Sequence, residues 1–270
     1  MQLARFLCIL TAPKPAYNST SASLVKTMCK ELKTRLLRLV PQTVNGPGRP
    51  GDSDGPHDWG EVLKATVSAL KEGHVAAVPT DTIYGLAALA QNSHAVKKVY
   101  EIKGRNGQKP LAICVGEIED IYKFCKVTVP EALLRDLLPG PVTLVLERSA
   151  ALNSDLNPFT PLVGVRIPDH AFIRQLSQMC GEPLALTSAN VSAQTSTIAV
   201  EEFRALWPSL AVVVDGSPIG DQSPECRLGS TVIDLSACGR FRVVRPGCAL
   251  SATVNILEQK YFLSEQKEDE

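Results

Sequence analysis

The chain has 270 residues, 44% of them hydrophobic, enough for one large domain or two small ones around a buried core. Lysine plus arginine equals aspartate plus glutamate, 28 each, so no net field draws the whole molecule toward nucleic acid or an anionic membrane. No apolar run reaches membrane-spanning length, so the chain is not expected to be transmembrane, and the eight scattered cysteines never form Cys-x-x-Cys, so neither a disulfide framework nor a protein-held zinc is expected.

Charge is unevenly placed along the chain. Through His57 there are eight basic and three acidic residues, and residues 1 to 30 hold no carboxylate, many Ser and Thr, and spaced cations. A mitochondrial presequence and a merely disordered basic tail both read this way, whereas the apolar run Phe6 to Leu10 is too short for a secretory signal. From Pro41 to His57, Gly, Pro and Asp dominate, which predicts a linker. Residues 1–57 are therefore expected as an N-terminal extension, 58–250 as one folded domain, and 251–270 as a helix with an acidic tail. The expected location is cytoplasmic and mitochondrial.

The folded part opens on a helix. Asp58 and Glu61 resemble a capping box, Trp59, Leu63, Val67 and Leu70 share one face, and Gly73 ends it. A short apolar strand, His74 to Pro79, follows. Next come a helical stripe (Ala95, Val96, Val99, Tyr100), a strand Leu111 to Val115, and a second candidate capping box, Thr128 with Glu131, ahead of Leu133 to Leu138. The Pro139 to Pro141 turn precedes strand Val142 to Glu147. Strand Leu162 to Ile167 leads into a helix with Phe172, Ile173, Leu176 and Met179, closed by Gly181. Strand Leu184 to Thr187, a helix Val200 to Trp207 stopped by Pro208, and strands Ala211 to Val214, Thr231 to Leu235 and Phe241 to Val244 complete the series. This alternation predicts a single α/β domain with helices on both faces of the sheet, and the short link between the last two strands makes that pair antiparallel and the sheet mixed.

In such a sheet, ligands sit where polar loops leave buried strands. Thr80-Asp81-Thr82, with Tyr84 and Gly85, could hydrogen-bond a compact zwitterion, or could equally be a Thr-stabilised turn. Lys103, Arg105 and Lys109 lie close together in sequence and could clamp a polyphosphate, or could complement a helix C-terminus on a solvated face. Thr187-Ser188-Ala189-Asn190 ends a strand with small polar groups suited to a ribose, base or phosphate oxygen, or to turn chemistry. Ser188 lacks a Gly-x-Ser-x-Gly elbow, so it is not expected to act as a hydrolase nucleophile. Arg166 interrupts an apolar strand, and Arg245 ends the last one. With neither a Walker A loop nor Gly-x-Gly-x-x-Gly, nucleotide binding must rest on side-chain cations.

In order, PTDTIYGL, KGR with KPL, LLPGPVTLVLE, VGVRIPDH, LTSAN, STVID and RPG resemble the motif series of the YrdC-like threonylcarbamoyl-AMP synthases over about residues 60 to 250. The resemblance implies a twisted mixed sheet with a concave basic cleft. It also implies that ATP, L-threonine and bicarbonate are converted to threonylcarbamoyl-adenylate and pyrophosphate, which feeds a tRNA threonylcarbamoyl transferase complex. By the same resemblance Thr82, Arg166, Ser188 and Ser230 or Thr231 face threonine, and Lys103, Arg105, Lys109, Thr143, Asn190, Ser196 and Arg245 line the nucleotide, with Lys103 and Arg105 catalytic. Mg2+ enters with ATP, on phosphate oxygens and water. Ala193-Gln194-Thr195-Ser196 stands where many relatives have Gly and Pro, and Gly220 to Gly229 reads as an insertion. Two rivals stand beside this reading: a double-stranded RNA or tRNA-binding module without catalysis, which the balanced charge weakens, and a carbamoyl-transfer domain.

Overall fold

A computed structural model describes residues 33–39, 58–104, 109–220 and 223–266. The presequence-like start, the Gly/Pro linker, Arg105 and the last four residues of the acidic tail lie outside the described residues.

Strand β1 (Arg35–Arg38) comes first, inside the stretch the sequence assigns to the extension. It belongs to the sheet, because Leu37 is buried and its backbone pairs in parallel with β9 (Val212–Asp215). Four residues with an arginine at each end carry too little apolar periodicity to be told from a basic tail. Helix α1 (Trp59–Lys71) starts as expected, with the Asp58 carboxylate accepting from the amides of Gly60 at 3.1 Å and Glu61 at 3.3 Å.

Strands β2 (Ala76–Val78) and β3 (Gly85–Leu89) form an antiparallel pair, and α2 (Ser93–Ile102) follows, capped by Asn92. The sequence reading missed β3, because Gly-Leu-Ala-Ala-Leu has neither alternation nor β-branched side chains. Then come β4 (Ala112–Cys114), α3 (Ile118–Phe124), β5 (Cys125–Lys126), α4 (Glu131–Leu137) and β6 (Val142–Arg148). The second capping box does not form. Pro130 takes the cap position of α4 with no side-chain bond.

Strand β7 (Leu162–Arg166), helix α5 (Ala171–Cys180) and strand β8 (Leu184–Ser188) match their expected spans closely. Val200–Ser209 is a 3-10 segment kinked at Phe203 with Pro208 inside it, rather than an α-helix stopped there. A proline supplies no backbone amide and its ring clashes with the preceding turn of an α-helix, so a regular α-helix does not run through Pro208. After β10 (Thr231–Asp234) and β11 (Arg240–Arg245), helix α6 (Leu250–Asn255) runs on through a π turn to β12 (Ser264–Glu265), so the expected tail is in part a strand.

The strands make one mixed sheet in the order β1-β9-β2-β3-β8-β4-β7-β6-β10-β11-β12, with β5 added to β6. β10 and β11 are antiparallel, as their short link required. One face carries Leu86, Ile113, Val163, Val165, Leu144 and Ile233 into the larger core. On the other face α1 and α5 cover Ala76, Ala87, Leu89, Cys114 and Leu184. Among the described residues no helix is long and apolar enough to cross a membrane.

Candidate functional site

The second face of the sheet continues past α1 and α5 into a cavity of about 510 Å³. Its floor is set by strand register. Leu186 pairs with Ala112, Ala112 with Gly164, Gly164 with Val145, and Thr143 with Val232, and directly opposed residues share a face. Small residues keep this floor low. A Cβ on Gly164 would lie 3.0 Å from Thr143 Cγ2, and one on Gly85 would lie 2.7 Å from Leu186 Cδ1. The site therefore spreads across the sheet face, rather than only beyond the strand ends where the sequence reading looked.

At one wall stands the turn between β2 and β3. Thr80 Oγ1 donates to the Ile83 carbonyl at 2.7 Å and accepts from the amides of Thr82 and Ile83, both at 3.2 Å. The turn is thus Thr-stabilised, and it also presents side chains. Arg166 Nη2 donates to Thr82 Oγ1 at 2.7 Å and to Asp81 Oδ1, while Asp81 Oδ2 accepts from the Asp169 amide at 3.1 Å. The ion pair is enclosed, its side chains 6% and 10% exposed. Arg166 Nε is buried and has no hydrogen-bond partner among the described residues. Cys114 pairs with Arg166 in the β4–β7 ladder, but burial pushes its thiol up to about 12, so it stays neutral and is no nucleophile.

His170, next to Asp169, has its Nδ1 buried and without a hydrogen-bond partner among the described residues. Burial lowers its pKa, against an opposing pull from Asp81 and Asp169. Its folded value lies below the unfolded value of about 6.5, so the unfolded chain takes up the proton first as pH falls. The protein should therefore keep this contribution to stability above about pH 6.5 and lose it on acidification toward the folded value. Thermal melts between pH 7.5 and 5.5 should show a Tm that falls with pH, with a shallower slope in His170→Gln; equal slopes would remove His170 as the cause.

A second wall depends on Lys103, at the end of α2. Its side chain is fully buried, and its ammonium donates to the Ser188 carbonyl at 2.7 Å, Ser188 Oγ at 3.3 Å, Asn190 Oδ1 at 2.8 Å and the Asn190 carbonyl. Ser188 Oγ bonds Asn190 Oδ1, and Asn190 Nδ2 donates to the Gln194 carbonyl. Lys103 and Asn190 thus act on the cavity through Ser188. The helical stripe predicted that Lys103 leaves α2 on the core side, and the structure places it there.

On the third side Thr143 Oγ1 and Ser230 Oγ lie 2.8 Å apart, and Arg245 Nη2 donates to the Ser230 carbonyl at 2.7 Å. Arg245 as a residue is exposed, yet its guanidinium turns inward, and burial together with the charge of Arg166 lowers its pKa. Two guanidinium groups that repel each other across a cavity favour an anion between them. Lys109 stands at the rim.

Of the residues named from the sequence, Lys109, Thr143, Arg166, Ser188, Ser230 and Arg245 line this one cavity, and Thr82 touches Arg166 at its edge. Thr231 does not line it; it is fully buried and its Oγ1 accepts from the Ala249 amide at the start of α6. Ser196 also lies away from it, its carbonyl accepting from Arg227. Asp81 and Tyr84 belong to the turn that the sequence offers for a compact zwitterion, but neither has a role of its own there. Tyr84 lines the cavity, and its hydroxyl donates to the Ser217 carbonyl and accepts from the Gly216 amide. A carboxylate between two threonines at a buried strand exit was the available signal for Asp81.

This arrangement defines an α/β protein with a cavity on an open sheet face, lined by hydroxyls and two guanidinium groups that suit a compact polar molecule and an anion. Comparison with known proteins narrows the class. The family model described as telomere recombination (Sua5, YciO and YrdC) matches residues 68–247. A threonylcarbamoyl-AMP synthase of Bos taurus is 56% identical over 246 residues, which is 91% of this chain and 88% of the relative. The Homo sapiens protein of the same name is 63% identical over 206 residues, 76% of this chain and 74% of the relative. A crystal structure of Pyrococcus abyssi Sua5 complexed with L-threonine superposes with a TM-score of 0.67 at 25% identity, over 86% of this chain and 62% of that longer one. The chain belongs to the Sua5/YciO/YrdC family.

Proposed function

We propose that this chain is a threonylcarbamoyl-AMP synthase, a nucleotidyltransferase that serves tRNA modification by making threonylcarbamoyl-adenylate and pyrophosphate from L-threonine, bicarbonate and ATP. The name its mammalian relatives share over most of their length supports the activity. The observation that carries it to a place is the convergence of Arg166, Arg245 and the hydroxyls of Ser188, Thr143 and Ser230 on one cavity.

Threonine lies against Thr82, Ser188 and Arg166, whose guanidinium takes its carboxylate. The free amine attacks the carbon of bicarbonate, whose hydroxyl leaves as water with the amine proton, or of CO2, where a C–O π bond opens and the amine proton goes to solvent; either gives a carbamate. A carbamate oxygen then attacks the α-phosphorus in line; the new P–O bond forms as the bond to the β-phosphate bridge breaks, and pyrophosphate leaves with that electron pair. Lys109, Thr143 and Arg245 face the phosphates, and Lys103 holds the Ser188–Asn190 loop against them. Charge neutralisation and positioning carry the rate, so no covalent nucleophile is needed. Mg2+ arrives on ATP as its counter-ion. The described residues hold no group of three or more His, Cys, Asp or Glu side chains that could ligate a resident metal. The labile mixed anhydride is then handed to a tRNA threonylcarbamoyl transferase complex.

Omission tests this order of bonds. Pyrophosphate should appear only when ATP, threonine and bicarbonate are all present. Release that persists in bicarbonate-depleted buffer would mean that threonine itself is adenylylated, and the carbamate step would be lost.

A further inference from the structure

We infer that Asp81 is a positioning residue for the amino acid, acting by holding Arg166 so that its remaining N–H groups are turned to the ligand carboxylate. This rests on the reading of threonine as a substrate, and adds a residue and a division of labour to it.

A guanidinium has five N–H groups in a rigid plane, so fixing the bonds of one nitrogen fixes the direction of the others. In this structure Nη2 is committed to Asp81 Oδ1 and Thr82 Oγ1. Nε is enclosed and has no partner among the described residues, although Arg166 lines the cavity. With Nη2 engaged and Nε shut in, the N–H groups of Nη1 are the donors left for a ligand. Asp81 cannot swing to follow Arg166, because its second oxygen is tied to the Asp169 backbone amide at 3.1 Å. The backbone thus fixes Asp81, Asp81 fixes the guanidinium plane, and Thr82 stops it from turning about Cζ. A second cation, Arg245, faces the same cavity, so a guanidinium without its carboxylate partner would also be pushed away from the site by like charge.

A pin of this kind predicts a selective defect. Asp81→Asn keeps shape and one acceptor but loses the charge that holds Arg166. The KM for threonine should rise roughly tenfold or more, while the KM for ATP changes less than about twofold and kcat at saturating threonine falls at most about threefold, since uniform binding to one substrate has been lost. The decisive readout is recognition of the carboxylate itself. By calorimetry, wild type should bind L-threonine roughly 100-fold tighter than L-threoninol, which has an alcohol in place of the carboxylate, and in Asp81→Asn that ratio should fall below about tenfold. Thr82→Val, which removes the other anchor and leaves the charge, should shift the ratio the same way by a smaller factor, and stands in should Asp81→Asn fail to fold. An unchanged ratio in a folded variant, or KM values for threonine and ATP that rise together, overturns the inference. Wild type that binds no threonine, or binds threonine and threoninol alike, overturns the substrate reading beneath it.

Discussion

Lys103→Met should remove threonine-dependent pyrophosphate release, by roughly 100-fold or more, and should lower stability as well. Methionine matches the stem of lysine in volume, so the change deletes the ammonium without opening a large cavity. Four oxygens then lose a donor: the carbonyls and side-chain oxygens of Ser188 and Asn190. The Ser188 carbonyl keeps a bond from the Asn190 amide, and Ser188 Oγ keeps Asn190 Oδ1, so not every acceptor is stranded. With about 1–3 kcal/mol for each buried acceptor left bare, a net loss on the order of 3 kcal/mol is reasonable. For a domain of this size that is a Tm drop of roughly 6–12 °C. Lys103→Arg should not rescue turnover, because a planar fork does not fit an enclosed point-charge site. Activity near wild type in folded Lys103→Met would show that the loop holds its shape without the cation.

Arg166→Met should be the most destabilising change at the site. It leaves Asp81 enclosed with the Asp169 amide as its remaining described partner, and breaking one side of a buried pair costs about 3–5 kcal/mol. The double variant Asp81→Asn/Arg166→Met should recover part of that loss, since a neutral amide replaces the stranded charge. Turnover should not recover with it, because the guanidinium that meets the carboxylate is gone. Melting and pyrophosphate release across the four proteins of the cycle separate the two effects. Recovery of both together would make Arg166 a structural cation and nothing more.

The sequence made parts of this site legible for specific reasons. Arg166 stood out because a charge in the apolar run Val163 to Ile167 needs either a partner or a ligand, and the structure shows it with Asp81 as partner and with Nε unbonded among the described residues. Lys103 could be assigned to the inner side of its helix because Val96, Val99 and Tyr100 define that face at helical spacing. Ser188 and Asn190 were marked by their position at a strand end. Asp81 could be read only as part of the Thr80-Asp81-Thr82 turn, ligand site or ordinary turn chemistry, and only an arginine 85 residues away distinguishes the two. Thr231 and Ser230 could not be told apart along the chain, since adjacent strand residues face opposite ways and the register of β10 against β6 decides which enters the cavity. Strand β1 was invisible for a related reason: its partner, β9, lies far along the chain.

By itself the sequence determined the class of this protein: an α/β chain whose apolar periods set most helices and strands, with cations and small hydroxyls placed where strands end. Those features are local, written in spacings of two and about 3.6 residues, and so can be read without a fold. Only the tertiary structure decided that the site lies on a sheet face floored by Gly85, Ala112 and Gly164, that Lys103 works through a loop, and that Asp81 belongs to Arg166. Each of these depends on pairing between segments distant in sequence, and strand register and side-chain direction across such pairs are fixed by packing and not by neighbours along the chain.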